Sequence, residues 1–196
     1  TVTTTQECRY ANGKITTDYV YTMDADGSVD FSATYTPEGQ LPPLPCIGNT
    51  FLLDKDMTRL SWYGQGLQDS YVDRLEATGI GRWTSSVDQE YVHYPRPQSS
   101  GNHEQTVTLS LTDAKGRGYT VTTANATPFA FSALPYSEHQ LSTVAHDCDL
   151  HTENNVFLNI DVAMMGLGNS SCGPGVLTKY SIPQKQHSLH VMFKRK

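Results

Sequence analysis

Large side chains recur at every second residue of this chain, and that period decides what it can fold into. Tyr19, Tyr21 and Met23 share one strand face, Asp24-Ala25-Asp26-Gly27 supplies a turn, and Val29, Phe31, Ala33 and Tyr35 return with the same spacing. A second hairpin is as clear: Val107, Leu109 and Leu111 alternate with Thr and Ser, and after a turn at 113–118 Tyr119-Thr120-Val121-Thr122 leads back. The pattern predicts further strands at 47–53, 59–63, 156–161, 176–182 and 188–194. Pro37, Pro42, Pro43 and Pro45 make 37–45 an extended connector that is unsuited to a central strand. Helical spacing is clearest over 138–146, with Ser137 as N-cap and Gln140 as the far side of a capping box, and a shorter helical turn is expected over 67–71. Many strands at short spacing with one short helix predict an all-β antiparallel sandwich. Neither an internal repeat nor a low-complexity linker divides 1–196, so one domain is expected.

Charge narrows the partners. The formal net charge is −6 and only 17% of residues are charged, so no basic face is available to displace the counterions of a nucleic acid. The basic end Lys194-Arg195-Lys196 is too short to change that. No apolar run reaches the roughly 18 residues of a membrane helix, and no signal peptide is visible, so neither nucleic acid nor membrane is expected as a partner. The sequence opens on Thr1, which suits a mature product or, better, a piece of something longer. Cys8, Cys46, Cys148 and Cys172 form no CxxC pair and would allow three disulfide connectivities. A chain of this size does not need staples, and free thiols are expected. The compartment stays open, a bacterial cytoplasm or periplasm being favoured over the extracellular space. Asn125-Ala126-Thr127 and Asn169-Ser170-Ser171 fit the glycosylation sequon, a match frequent by chance.

One segment is unlike a connector. Leu158-Asn159-Ile160-Asp161 reads as a strand and is followed by Met165-Gly166-Leu167-Gly168-Asn169-Ser170-Ser171-Cys172-Gly173-Pro174, glycines and small polar residues with nothing to fill a core. Glycine lets backbone approach a ligand or another chain closely, at an entropic cost. We therefore expect something outside the chain to use this loop.

Five motifs in order carry a resemblance. Trp62-Tyr63-Gly64-Gln65-Gly66, followed by Gln68-Asp69-Ser70-Tyr71-Val72-Asp73-Arg74, resembles an aromatic-Gly-x-Gly-Pro run and then Glu-x-Tyr-x-Asp-Arg, with Leu67 in place of Pro and Asp69 in place of Glu. Residues 91–103, with Pro95, Pro97, Gly101 and Asn102, then Tyr136-Ser137, then His146 and His151, and finally 158–161 with 165–168 follow in the same order. The pattern is similar to the C-terminal "small chain" domain of the glycoside hydrolase family 2 β-galactosidases. It covers essentially the whole chain, though before Arg59 only as a strand pattern. The fold implied is a β-supersandwich like that of galactose mutarotase.

The resemblance also implies what the chain lacks. Retaining glycosidases use two carboxylates about 5–5.5 Å apart. In this family both are glutamates on a (β/α)8 barrel, which takes roughly 250 residues of alternating strand and helix. The resemblance thus implies a fragment that is inactive alone, with no catalytic residue and no cofactor of its own; magnesium and sodium are expected only in the catalytic part. The implied partners are the remaining domains of the parent enzyme, a galactoside substrate and further copies in a homo-oligomer. In the best-known members a tryptophan after the glycine-rich run reaches the sugar. The matching position here is Cys172, which cannot offer an aromatic platform. Asn169, Ser170, Ser171 and Cys172 are the candidate substrate-binding residues, as a loop bordering the active site, against an interdomain role for the same loop.

Other constellations read as structural. Asp73-Arg74 suits an ion pair and Asp161 a turn or cap acceptor, and no pair among Asp69, Asp73, Glu76 and Asp161 has a recognisable acid/base spacing. His146-Asp147-Cys148-Asp149-Leu150-His151 holds metal-binding types in an order zinc sites do not use. Cys172 has no local base to make it a nucleophile. His93, Tyr94, Arg96, Gln98, Asn102 and His103 suit either sugar binding or an interdomain contact, while Trp62 and Trp83 suit the core. Two alternatives to a passive cap remain: an autonomous carbohydrate-binding module, and a mutarotase-like epimerase, for which no His/Glu motif is seen.

Overall fold

The computed structural model describes residues 1–170 and 172–196; Ser171 lies outside the described residues. Two antiparallel sheets form a sandwich. The strands are β1 (Val2–Tyr10), β2 (Gly13–Met23), β3 (Val29–Gly39), β4 (Cys46–Asp54), β5 (Arg59–Gly66), β6 (Gly79–Ser86), β7 (His103–Thr106), β8 (Thr108–Thr112), β9 (Gly118–Thr123), β10 (Phe129–Leu134), β11 (Asn155–Met164) and β12 (His187–Arg195). The large sheet runs β1-β2-β3-β12-β9-β8-β5-β6 and the small one β4-β11-β10-β7. Both predicted hairpins are present, β2–β3 and β8–β9.

The alternation decides which face each strand buries. Phe31, Ala33 and Tyr35 of β3, Leu60 and Trp62 of β5, Leu109 and Leu111 of β8 and Leu189 and Val191 of β12 meet Phe129, Phe131 and Ala133 of β10 and Val156, Leu158 and Ile160 of β11 in one core. Aromatic edges lock the layers: Phe51 lies 5.3 Å from Phe31 and 4.9 Å from Phe193, and Trp62 stands edge-on to Phe131 at 5.7 Å. Both tryptophans are structural, Trp62 donating to the Gln65 carbonyl at 2.8 Å and Trp83 to that of Gly64 at 3.1 Å. The four cysteines are free.

Several expectations need correction. Residues 176–182 are not a strand: Tyr180 and Ser181 donate back to Leu177 and Thr178 as a 3-10 turn, and Leu177 is exposed. Gly173-Pro174-Gly175 precedes this segment and Pro183 follows it, and β12 already occupies the place beside β3. Pro37 does lie in a strand, because β3 continues to Gly39 against β2; β12 pairs only as far as Tyr35, so beyond that point β3 has a free edge where a missing N–H is harmless. The bend over 67–71 is not helical, and the nearest 3-10 turn is Leu75–Ala77.

Among the described residues there are two short helices rather than one, α1 (Val87–Glu90) and α2 (Glu138–Thr143). The latter starts where expected, with Ser137 accepting from the Gln140 N–H at 3.2 Å. It ends three residues early: Thr143 and Ser142 turn their hydroxyls back onto the His139 carbonyl, and Val144 is extended. Gln140 does not close a capping box either. Its side chain bonds the His151 backbone, and Glu153 accepts the Ser137 N–H at 2.8 Å instead.

Candidate functional site: a polar cleft and the loop at its rim

The outer face of the small sheet is polar where alternation would leave it to solvent. Thr50 of β4, Asn159 of β11 and Ser132 of β10 stand in cross-strand register. Thr50 Oγ1 donates to Asn159 Oδ1 at 2.6 Å, and Asn159 Nδ2 donates to Ser132 Oγ at 3.0 Å. One step along the strands, Asp161 lies between Gly48 and Ala130. A β-carbon on Gly48 would collide with Asp161 Oδ1, so only glycine leaves room for that carboxylate.

This face is open to solvent at Thr50 but walled over Ser132 and Asp161, both of which are buried. Tyr71, the 99–102 loop and Glu138 at the start of α2 stand around it, enclosing with Met164, Met165 and Leu167 a cavity of about 420 Å³. Asp161 is 4% exposed. Burial holds its carboxyl far above the usual carboxylate range, at about 7, with the negative charges of Glu104 and Glu138 adding to the rise. Asp161 is therefore no turn or cap acceptor: it sits in a strand, and among the described residues no N–H or O–H donates to it. Its one polar neighbour of that kind is the Cys46 thiol, which burial pushes up to about 12.

The wall behind the cavity is knitted by Ser70, Asn102 and Glu104. Asn102 Nδ2 donates to the Ser70 carbonyl at 2.8 Å and to Glu104 Oε1 at 3.2 Å, while the Glu104 N–H donates to Ser70 Oγ at 2.9 Å. Burial lifts the Glu104 carboxyl to about 7 against the opposing hydrogen bond from Asn102. Asn102 is 2% exposed, lines the cavity, and its Oδ1 has no hydrogen-bond partner. Nearby, His103 Nε2 meets Glu90 Oε2 at 2.5 Å in the protein interior, away from the cavity lining.

At the cavity rim begins the glycine-rich loop. Asp73 and Arg74 do not pair with each other. Asp73 accepts the N–H groups of Leu167 (3.1 Å) and Gly168 (2.8 Å), and Arg74 Nη2 donates to the Gly168 carbonyl at 2.9 Å. Gly166 is pressed against the Asp73 carboxyl, and Gly168 takes a positive φ of 62°. Beyond this clamp the chain doubles back, Asn169 donating to the Pro174 carbonyl at 3.0 Å and Cys172 to the Asn169 carbonyl at 3.0 Å. Of the candidate residues, Asn169, Ser170 and Cys172 are exposed at the tip, and Ser171 lies outside the described residues.

Other sequence candidates are scattered. His93 Nδ1 sits 2.9 Å from the Asp147 carboxylate, so the 91–103 loop is tied to the segment after α2. Asp69 is half-buried, its carboxyl raised by that burial, and Glu76 is exposed. Among the described residues no three metal-ligating side chains come together, and no helix is long and apolar enough to cross a membrane. Sequence reading missed Gly48, Thr50, Ser132 and Glu104. The available signal was β11 itself, whose odd-numbered Asn159 and Asp161 are polar beside apolar Leu158 and Ile160.

A family model described as the β-galactosidase small chain matches residues 1–193. The chain belongs to the β-galactosidase small-chain family. Within curated members of that family it is 35% identical over 186 residues to β-galactosidase BgaC of Bifidobacterium adolescentis, covering 92% of this chain. It is 33% identical over 148 residues to the β-galactosidase of Streptococcus thermophilus (76% of this chain) and 32% identical over 163 residues to that of Kluyveromyces lactis (83%). The chain spans only 14–17% of the length of these relatives and corresponds to one part of each of them.

Proposed function

We propose that this small-chain domain is the noncatalytic C-terminal part of a family 2 β-galactosidase, where it caps the barrel that hydrolyses terminal β-D-galactosyl residues and lends the tip of its 166–174 loop to the mouth of the galactoside site. The observation that carries this reading is the clamp. Three hydrogen bonds from Asp73 and Arg74 fix the base of a loop whose tip, Asn169, Ser170 and Cys172, is exposed. A pinned base with an unused tip is how a rigid scaffold presents residues to something else. The two glutamates of the retaining reaction, and any magnesium or sodium, are assigned to the barrel. Asn169, Ser170 and Ser171 offer amide and hydroxyl groups to sugar hydroxyls, and Cys172 leaves open the space an aromatic would fill. Packing against the remaining domains, and between subunits of a homo-oligomer, is the second role.

The cavity disfavours the epimerase alternative, since none of the seven histidines lines it. The test replaces 169–173 by glycine and serine in the full enzyme. Expected is a loss of kcat/KM on lactose of about tenfold or more, comparable to the loss of one well-placed hydrogen bond in the transition state, with the melting temperature unchanged. Unchanged kinetics would remove the loop from the site. Turnover of a chromogenic galactoside by the 196-residue chain alone would end the noncatalytic reading.

A further inference from the structure

We propose that the cleft on the outer face of the small sheet is a binding site of its own, built for a small neutral polyol of monosaccharide size that docks over the Thr50–Asn159–Ser132 ladder and the neighbouring Asp161 carboxylate. Its volume of about 420 Å³ falls within the range of pockets that hold small ligands, roughly 300–1,000 Å³.

The lining chooses the class of ligand. No lysine or arginine lines it, and Asp161 and Glu138 are both acidic, so a phosphate or carboxylate ligand has no partner and meets repulsion. A metal ion is disfavoured because no three ligating side chains converge among the described residues. What the cleft does hold is acceptors in want of donors. Among the described residues the Asp161 carboxyl receives nothing stronger than the Cys46 thiol, and Asn102 Oδ1, in the wall behind, is buried without a partner. An acceptor short of donors is uncommon in a native structure, and a ligand rich in O–H groups would supply them to the Asp161 carboxyl. Thr50, Asn159 and Ser132 already form a chain of hydrogen bonds that a ligand hydroxyl can extend in either direction. Met164, Met165 and Tyr71 add apolar surface to the same lining, suited to the C–H face of a pyranose.

A merely structural sheet face covered by a neighbouring domain has no need of this arrangement, since apolar residues would bury better there. Gly48 sharpens the point. The site gives up a side chain on β4 to make room for a carboxylate that is then left without a full partner. This inference is independent of whether the 166–174 loop touches galactoside, and its readout does not involve hydrolysis.

The experiment labels methionine methyls in the full 196-residue chain and titrates it with D-galactose, with glycerol as the control polyol. Met164 and Met165 line the cleft, whereas Met23, Met57 and Met192 do not. Expected is a saturable shift of the Met164 and Met165 methyls with galactose and none at the other three. Asp161→Asn, nearly isosteric, weakens binding about tenfold or more, as for loss of a hydrogen bond to a charged group. Ser132→Met, which pushes a side chain into the cavity, abolishes it; the spectrum of each variant reports its own folding. Methyls unmoved at saturating galactose overturn the proposal. So does an equal response to glycerol, which would mark an adventitious polyol only, and so do shifts that persist in both variants.

Discussion

Replacing Asp161 by asparagine should make the protein more stable at neutral pH and leave it unchanged in acid. The folded chain holds this carboxyl at about 7 because the side chain is buried near two further carboxylates. An unfolded chain leaves it at about 3.9. Each pKa difference of one corresponds to about 1.4 kcal/mol, so the gap of about 3 amounts to about 4 kcal/mol once both states are ionised. The direction is opposite to that of a salt-bridged aspartate. Between about pH 4 and 7 the unfolded state has released the proton and the folded state still keeps it, so stability falls as pH rises through that window and levels off above about 7. Water entering the cavity would soften the penalty, and we expect about 2–4 kcal/mol. Asparagine mimics the protonated acid and removes the dependence. Urea unfolding of wild type and Asp161→Asn at intervals from pH 3 to 8 measures the difference directly; at an m-value of about 2 kcal/mol/M the midpoints separate by about 1–2 M at pH 8 and coincide at pH 3. A difference that stays flat across this range, or an asparagine variant less stable at pH 8, would refute the placement of an unpaired carboxylate in the cleft.

Three other perturbations probe neighbouring parts of the site. Gly48→Ala sets a β-carbon against Asp161 Oδ1 and the Ile160 carbonyl; it should cost about 3 kcal/mol, read as a drop in melting temperature of about 6–12 °C. Asp73→Ala frees the Leu167 and Gly168 N–H groups, and hydrogen exchange at those two amides should accelerate while amides in β10 and β11 keep their protection. Glu90→Ala strands His103, which is 0% exposed and already has an unpartnered Nδ1; losing one member of a buried pair should cost about 3–5 kcal/mol in denaturant unfolding, whereas the same change at exposed Glu76 should be close to neutral.

How far the sequence carries depends on which period a residue obeys. The core was legible because Phe31, Ala33 and Tyr35, or Leu109 and Leu111, repeat every second position, and a strand with that pattern has one face to bury. The segments that escaped notice break the period for local reasons. Strand β1 is exposed along its whole length and so has no apolar alternation to read, and β10 runs Phe129-Ala130-Phe131-Ser132-Ala133-Leu134 with both faces buried. Leu177 mimicked a strand position, but the backbone there bonds to itself three residues back.

The loop and the cleft divide differently. The loop could be seen in advance because glycines at 166 and 168 record a close approach in the chain itself, here to the Asp73 carboxyl and to the backbone at Val176. The cleft could not, because its polar residues sit where alternation assigns solvent, and nothing in one strand reveals that Tyr71, Asn102 and Glu138 arrive from three distant segments to cover them. Asp161 shows why this matters for function. In sequence it is one more polar residue on the outer side of a strand, whose ordinary state is ionised and hydrated. Covered from three sides it becomes a carboxyl held to about 7 with no strong donor, and the same atoms change from surface decoration into the most costly group in the site. A chain that keeps such a group, and keeps Gly48 bare to accommodate it, gains nothing in stability from either; a ligand that supplies the missing donors would give both a physical reason.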